Sequence, residues 1–373
     1  MKRKILIVED SLTVRRMLTQ AISQQTGLEI DAFDTLEGAR DCQGEEYVVA
    51  LVDLTLPDAP SGEAVNVLLE RGLPVVILTA DISEEKREAW LEAGVLDYVM
   101  KDSRHSLQYA VSLVHRLYLN QAIEVLVVDD SRTSRHRTAA QLRKQLLLVH
   151  EATCARDALA LLEQHPAIRL MLVDYYMPEI DGISLVRMLR ERYSKQQLAI
   201  IGISVSDKHG LSARYLKQGA NDFLNQPFEP EELQCRVSHN LEALEQFNNI
   251  QESANRDYLT GLYNRRYWFN EGQKWFEEHQ RQQAQLALCV LDVDHFKQVN
   301  DHWGHAIGDE LLCHLTRLLT QFFPDAMIAR FGGEEFALMV PHCPVPVLLK
   351  RLEGLRQQLR QQPLSREVPL FVR

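Results

Sequence analysis

A chain of 373 residues has room for two or three domains of ordinary size, and 46% hydrophobic with 25% charged residues is the balance of a soluble globular protein. The formal net charge of −11 argues against a general nucleic-acid or membrane-surface binder, which needs a basic field. Local nucleotide binding stays open, because a bound divalent cation reverses the local charge.

The chain opens with MKRKILIVED, whose apolar run is too short for a signal peptide, and no later run approaches a membrane span. A cytoplasmic location is expected. The six cysteines (Cys42, Cys154, Cys235, Cys289, Cys313 and Cys343) form no CxxC pair and read as reduced thiols.

The first two thirds of the sequence repeat. KILIVEDSLTVRRML (Lys4–Leu18) returns as EVLVVDDSRTSRHRT (Glu124–Thr138), and VALVDLTLPDAPSG (Val49–Gly62) as LMLVDYYMPEIDG (Leu170–Gly182). LPVVILTAD (Leu73–Asp81) returns as LAIIGISVSD (Leu198–Asp207). The offset is 120 at Asp10/Asp130, 121 at Asp53/Asp174 and 125 at Thr79/Ser204, so one domain is duplicated with small insertions. In each copy near-continuous apolar runs alternate with segments of helical period, the pattern of strands buried on both faces of a parallel sheet. Five strands alternating with five helices are expected, a doubly wound α/β domain with its ligands at the C-terminal strand ends.

Those ends carry acids: Glu9, Asp10 and Asp53 in the first copy, Asp129, Asp130 and Asp174 in the second. Three converging carboxylates repel unless a cation sits among them, and Mg²⁺ suits oxygen ligands. Asp53 is then suited to attack a phosphoryl group, with Thr79 to bond a phosphoryl oxygen and Lys101 to neutralise another. A single acid at a strand end is ordinarily a loop cap; the complete set, twice at matched spacing, is not so explained.

On these motifs residues 1–120 and 122–245 resemble response-regulator receiver domains of flavodoxin-like fold. The resemblance implies phosphoacceptors at Asp53 and Asp174 and acidic Mg²⁺ pairs at Glu9/Asp10 and Asp129/Asp130. It also implies switch hydroxyls at Thr79 and Ser204, switch aromatics at Tyr98 and Phe223, and a phosphodonor partner, either a sensor histidine kinase or a phosphotransfer protein. The family lysine matches Lys101 in YVMKDS, but the second copy reads FLNQPF, with Gln226 in its place. Glutamine donates a hydrogen bond yet cannot balance phosphoryl charge, and Val205 stands where the family has a small residue. The first receiver is therefore expected to be the working switch and the second an adaptor.

From Pro230 to about Ala254, apolar residues at Leu233, Val237, Leu241, Leu244, Phe247 and Ile250 mark one face of a continuous helix. The stripe either packs on its own domain or forms a stalk that pairs with its twin.

Next, RDYLTGLYNRRYWFN (Arg256–Asn270) leads into LALCVLDVDHFKQVNDHWGHAIGDELL (Leu286–Leu312). Leu286–Leu291 reads as a buried strand ending in Asp292 and Asp294, followed by a helix from Asp309 to about Phe322. ARFGGEEFALMV (Ala329–Val340) then reads as a β-hairpin whose glycines permit positive φ. Should the hairpin lie beside that strand, Asp292 and Glu334 can ligate Mg²⁺ with Glu335 near the same site, as phosphoryl transfer from a nucleoside triphosphate requires. Lys297 would add charge to the phosphates, and Asn300 and Asp309 suit the edge of a guanine.

These motifs together resemble the GGDEF family, the diguanylate cyclases, over residues 246–373 with the helical joint included. The resemblance implies condensation of two GTP to cyclic di-GMP and pyrophosphate by two facing domains. In those roles Asp292, Glu334 and Glu335 are metal and catalytic residues, and Lys297, Asn300 and Asp309 bind substrate. The family's inhibitory product site would fall on Phe323 and Ala326, so that inhibition is expected to be absent. A helix over 345–362 and a strand at VPLFVR are expected, after which the chain stops short of a complete domain by family comparison. The organisation implies a cytoplasmic, phosphorylation-controlled cyclase that forms a homodimer when phosphorylated and binds neither a nucleic-acid polymer nor a membrane. The competing reading is a non-enzymatic, phosphorylation-gated scaffold or nucleotide binder with a degenerate third domain. A DNA-binding regulator lacks a basic recognition helix.

Overall fold

The structure, a computed structural model, describes residues 4–80, 84–205 and 210–361. It forms two compact units, residues 1–245 and 246–373.

In the first half of the larger unit, β1 (Lys4–Val8), α1 (Leu12–Thr26), β2 (Glu29–Phe33), β3 (Tyr47–Asp53), α2 (Glu63–Glu70), β4 (Val75–Thr79), α3 (Glu84–Ala93), β5 (Asp97–Met100) and α4 (Arg104–Asn120) follow in order. The strands make a parallel sheet ordered β2-β1-β3-β4-β5. Alternation sends Ile5 and Ile7 into the core beneath α1 and α4, and Leu6 and Val8 into the core beneath α2. Every residue of β3 and β4 is buried, at about 1.5–3 kcal/mol for each large aliphatic side chain.

Among its described residues this domain has four helices, not five. Between β2 and β3 the chain makes successive tight turns (Ala39 N–H to Leu36 O, 3.0 Å; Arg40 N–H to Glu37 O, 3.2 Å). Asp58 accepts from the Leu36 and Glu37 amides at 3.0 and 2.9 Å and fixes their start. Gly38 and Gly44 interrupt the segment, each costing a helix about 1 kcal/mol against alanine. The matching segment of the second copy has no glycine and is helical.

That copy comprises β6 (Glu124–Val128), α5 (Arg132–Lys144), β7 (Leu148–Ala152), α6 (Ala155–Gln164), β8 (Ile168–Asp174), α7 (Gly182–Arg190), β9 (Ala199–Ser204), α8 (Leu211–Lys217), β10 (Asp222–Asn225) and α9 (Pro230–Asn255). Its parallel sheet, β10-β9-β8-β6-β7, has the same winding. Helix α9 is unbroken for 26 residues. Leu233, Val237, Leu241 and Leu244 are buried in the second domain's core, whereas Phe247 and Ile250 are exposed, Ile250 by 69%.

The smaller unit holds β11 (Tyr263–Asn264), α10 (Arg265–Arg281), β12 (Leu286–Asp292), α11 (Phe296–Trp303), α12 (His305–Phe322), β13 (Met327–Gly332), β14 (Glu335–Pro341) and α13 (Val345–Gln361). Its sheet is β11-β13-β14-β12, antiparallel at both β14 pairings. β12 is not the buried strand the sequence suggests. Among the described residues it lies at the sheet edge with Leu288 and Val290 exposed, while Ala287, Cys289 and Leu291 pack against α11 and α12. Helix α12 begins at His305, a turn earlier than expected, and VPLFVR lies outside the described residues.

Candidate functional site

In both halves of the larger unit the acids gather where β1 and β3, or β6 and β8, end. Glu9, Asp10 and Asp53 present carboxylate oxygens within 4.8 Å of one another, as do Asp129, Asp130 and Asp174. Glu9, Asp53, Asp129 and Asp174 are buried; Asp10 and Asp130 are exposed. Backbone amides two residues on hold them: Ser11 N–H to Glu9 (3.1 Å), Thr55 N–H to Asp53 (3.1 Å), Ser131 N–H to Asp129 (2.8 Å) and Tyr176 N–H to Asp174 (2.9 Å).

A second pair of anchors was not singled out from the sequence. Arg15 donates to the Glu9 carbonyl at 2.5 Å, and Arg135 to the Asp129 carbonyl at 2.7 Å. The repeat carried the signal, since these arginines stand at the same 120-residue offset as the acids.

The two clusters differ in their cation. Lys101 Nζ lies 2.6 Å from Asp53 and 3.2 Å from Glu9, with 15% of its side chain exposed. Burial and then Asp53 push the Glu9 carboxyl above its ordinary range, and Lys101 pulls it back in part. Burial lowers the Lys101 ammonium, but the two carboxylates outweigh it and the net shift is upward. In the second domain Gln226 donates to Ser134 Oγ at 2.9 Å. Without a facing ammonium, burial and then Asp129 push Asp174 up to about 7, and burial also raises Asp129.

Thr79 and Ser204 are buried at the ends of β4 and β9, and among the described residues Ser204 Oγ has no hydrogen-bond partner. Val205, which stands where the family has a small residue, is 65% exposed. The aromatics diverge too. Phe223 is buried against Tyr215, whereas Tyr98 is half-buried with the Arg87 guanidinium 5.0 Å over its ring. Arg87 also pairs with Glu231 in the first turn of α9. Next to it, Asp97 accepts from Tyr109 (2.8 Å) and from Gln234 of α9 (3.2 Å).

In the smaller unit, β12 and β14 pair with Asp292 opposite Glu335, and the Val293 amide donates to the Glu334 carbonyl at 3.3 Å. Asp292, Glu334 and Glu335 therefore meet at one sheet end. Among the described residues their carboxylates do not close into a three-acid group within 4.8 Å.

The turn between the strands needs its glycines, at φ 139° for Gly332 and 55° for Gly333. Arg330 grips it, donating to the Gly333 carbonyl from Nε (3.0 Å) and Nη2 (2.8 Å) and pairing with Asp257 at 3.0 Å. Burial opposes the Asp257 charge, but hydrogen bonds from Thr260 and the Arg330 cation hold its carboxyl below the ordinary range. Asp257 and Arg330 lie inside the quoted motifs, yet 73 residues apart nothing in the sequence paired them.

Lys297 and Asn300 lie on α11 and Asp309 on α12. A Cβ on Gly308 would come within 2.0 Å of Asn300 Oδ1, so this glycine lets α11 close onto α12 beside Asp309. Among the described residues Asn300 Oδ1 is buried without a hydrogen-bond partner, while Lys297 and Asp309 are exposed. Phe323 is buried in the core.

Two three-carboxylate pockets at the strand ends of duplicated flavodoxin-like sheets are the arrangement of a response regulator. Comparison with known proteins agrees: the response regulator receiver domain matches residues 5–111 and 125–238, and the chain belongs to that family. The diguanylate cyclase GGDEF domain matches residues 254–372, so the output domain is of the diguanylate cyclase type.

Response regulator PleD of Caulobacter vibrioides is 25% identical over 98% of this chain and 88% of its own. Diguanylate cyclase VdcA of Vibrio cholerae is 37% identical over 31% of this chain and 34% of its own. A solved structure of a two-component system response regulator/GGDEF domain protein is 92% identical. It covers 65% of this chain and 100% of its own, with a TM-score of 0.63. Among the described residues no helix is long and apolar enough to cross a membrane.

Proposed function

We propose that phosphorylation of Asp53 switches on the condensation of two GTP molecules to cyclic di-GMP and pyrophosphate by the third domain. The observation that carries the catalytic half is the β12–β14 register, which brings the Gly-Gly-Glu-Glu turn to the end of the Asp-Val-Asp strand. Asp292 and Glu334 would hold Mg²⁺ there, with Glu335 at the same site; their oxygen donors suit that ion. Mg²⁺ when bound neutralises phosphate charge. Lys297 contacts the phosphates, and Asn300 and Asp309 read guanine. Each 3′-hydroxyl attacks the α-phosphate of the GTP on the facing domain, forming the new ester as pyrophosphate leaves. One domain alone cannot react, so dimerisation supplies the proximity.

The first receiver provides the switch. An Asp53 oxygen attacks the phosphorus of a phosphohistidine donor, either a sensor kinase or a phosphotransfer protein, and the bond to the donor nitrogen breaks. Glu9 and Asp10 would hold Mg²⁺, Lys101 neutralises a phosphoryl oxygen, and Thr79 hydrogen-bonds another. Tyr98 then has a route to α9 through Arg87 and Glu231. The second receiver, with Asp129 and Asp130 as its metal pair and Asp174 and Ser204 beside them, lacks the ammonium and serves as an adaptor.

The test is chromatography of the full chain incubated with GTP and Mg²⁺, with and without acetyl phosphate. Cyclic di-GMP should rise with the phosphodonor, lose that response in Asp53→Asn and vanish in Glu334→Gln. Undiminished product from Glu334→Gln, or none from folded wild-type protein, overturns the reading.

A further inference from the structure

Away from the acidic pockets, a third group of ligating side chains gathers in the second receiver: Glu124, His150 and His165 present one ligand atom each, all within 4.8 Å. His150 Nε2 lies 2.8 Å and His165 Nδ1 3.5 Å from the same oxygen, Glu124 Oε2. The two imidazoles are 4.1 Å apart, centroid to centroid. Side-chain exposures of 23% for Glu124 and His150 and 39% for His165 leave the group half-buried yet reachable from solvent.

We propose that Glu124, His150 and His165 form a binding site for a borderline transition-metal dication, Zn²⁺ above all. Two imidazole nitrogens and one carboxylate are the donor set such ions prefer, and Mg²⁺ does not. Tetrahedral ligands about 2.0–2.1 Å from zinc stand roughly 3.3 Å from one another, close to the two separations seen here. Three protein ligands leave one position for water.

The site is held by regular structure. Glu124 opens β6, and His150 sits in the adjoining edge strand β7, opposite Leu126 in the parallel register. His165 caps α6, its amide bonded to the Leu161 carbonyl at 2.8 Å, where the negative end of the helix dipole favours a cation. A simple His–Glu pair explains one imidazole. It does not explain a second turned to the same oxygen, because charging both rings sets two cations against each other, whereas one dication satisfies all three groups.

The site is also separate from the phosphoacceptor pocket. Glu124 begins the strand that Asp129 follows, so the two lie on the order of 16 Å apart along β6.

The full-length protein, stripped with EDTA and kept in excess Mg²⁺ to occupy the acidic pockets, should be titrated with Co²⁺ while its visible absorption is recorded. One Co²⁺ per chain should bind with the d–d bands of nitrogen-containing coordination, and Zn²⁺ should displace it. His150→Ala and His165→Ala should each weaken binding by at least about tenfold, since even an outer-shell partner is worth 10–100-fold. The Asp129→Asn/Asp174→Asn double variant should bind as wild type. Circular dichroism checks folding, and His165→Ala, at an exposed helix end, carries the test should His150→Ala unfold. Absence of the bands, or Co²⁺ binding unchanged by the histidine variants, overturns the proposal.

Discussion

Lys101 and Gln226 occupy the same backbone position. The Lys101 amide donates to the Thr79 carbonyl and the Gln226 amide to the Ser204 carbonyl, both at 2.7 Å. Only the side chain differs: one reaches Asp53, the other turns to Ser134. Loss of a positioned donor to developing charge typically slows a reaction ~10²-fold. Lys101→Gln should slow acetyl phosphate labelling of Asp53 by about that factor, and Gln226→Lys should speed labelling of Asp174; mass spectrometry after borohydride trapping reads both. Equal labelling in all three proteins would deny the lysine its role.

A second residue-scale case is Asp257, whose depressed carboxyl pKa contributes stability above its unfolded pKa, lost as pH falls through the folded value. Asp257 is only partly buried, and losing hydrogen bonds to a charged group costs about 1.5–3 kcal/mol. Asp257→Asn should therefore lower the melting temperature at neutral pH and flatten its acid limb. An unchanged pH profile would count against the ion pair.

Among the elements, the hairpin β13–β14 shows what was legible in the sequence and what was not. Its strands and turn follow from two apolar runs around Gly-Gly-Glu-Glu, and its partner β12 from the apolar run ending in Asp292. The Asp292/Glu335 register and the Arg330 clamp on Gly333 do not, because they depend on pairings between distant segments. The same limit hid the Glu124, His150 and His165 group, drawn from two strands and a helix end. The repeat pattern suggests a helix between β2 and β3, but Gly38 and Gly44 favour turns there. At φ 139° Gly332 adopts a conformation that side chains rarely take, at about 1–3 kcal/mol. Gly332→Ala should shift the turn and abolish cyclase turnover, with only a modest drop in melting temperature. Retained turnover would mean that the turn geometry does not position the acids.

At the scale of the whole molecule, the question is what α9 does beyond the second receiver. Its apolar stripe keeps its period past Glu245, but burial does not: Leu241 and Leu244 are in the core, while Phe247 and Ile250 are exposed. An apolar face on a continuous helix is the surface expected of a stalk that pairs with its twin. If two half-sites must meet, the rate at low protein concentration rises with the square of that concentration, and turns linear once dimers dominate. Phosphorylation, by favouring the dimer, should move this crossover to lower concentration. Phe247→Asp with Ile250→Asp places like charges where the twin helices would touch and leaves the receiver core alone. The double variant should label at Asp53 as wild type yet remain monomeric by light scattering after acetyl phosphate treatment. Its rate should stay quadratic across the range in which wild type has turned linear. A double variant that dimerises and turns over normally would remove α9 from the interface and require the receivers alone to bring two cyclase domains together.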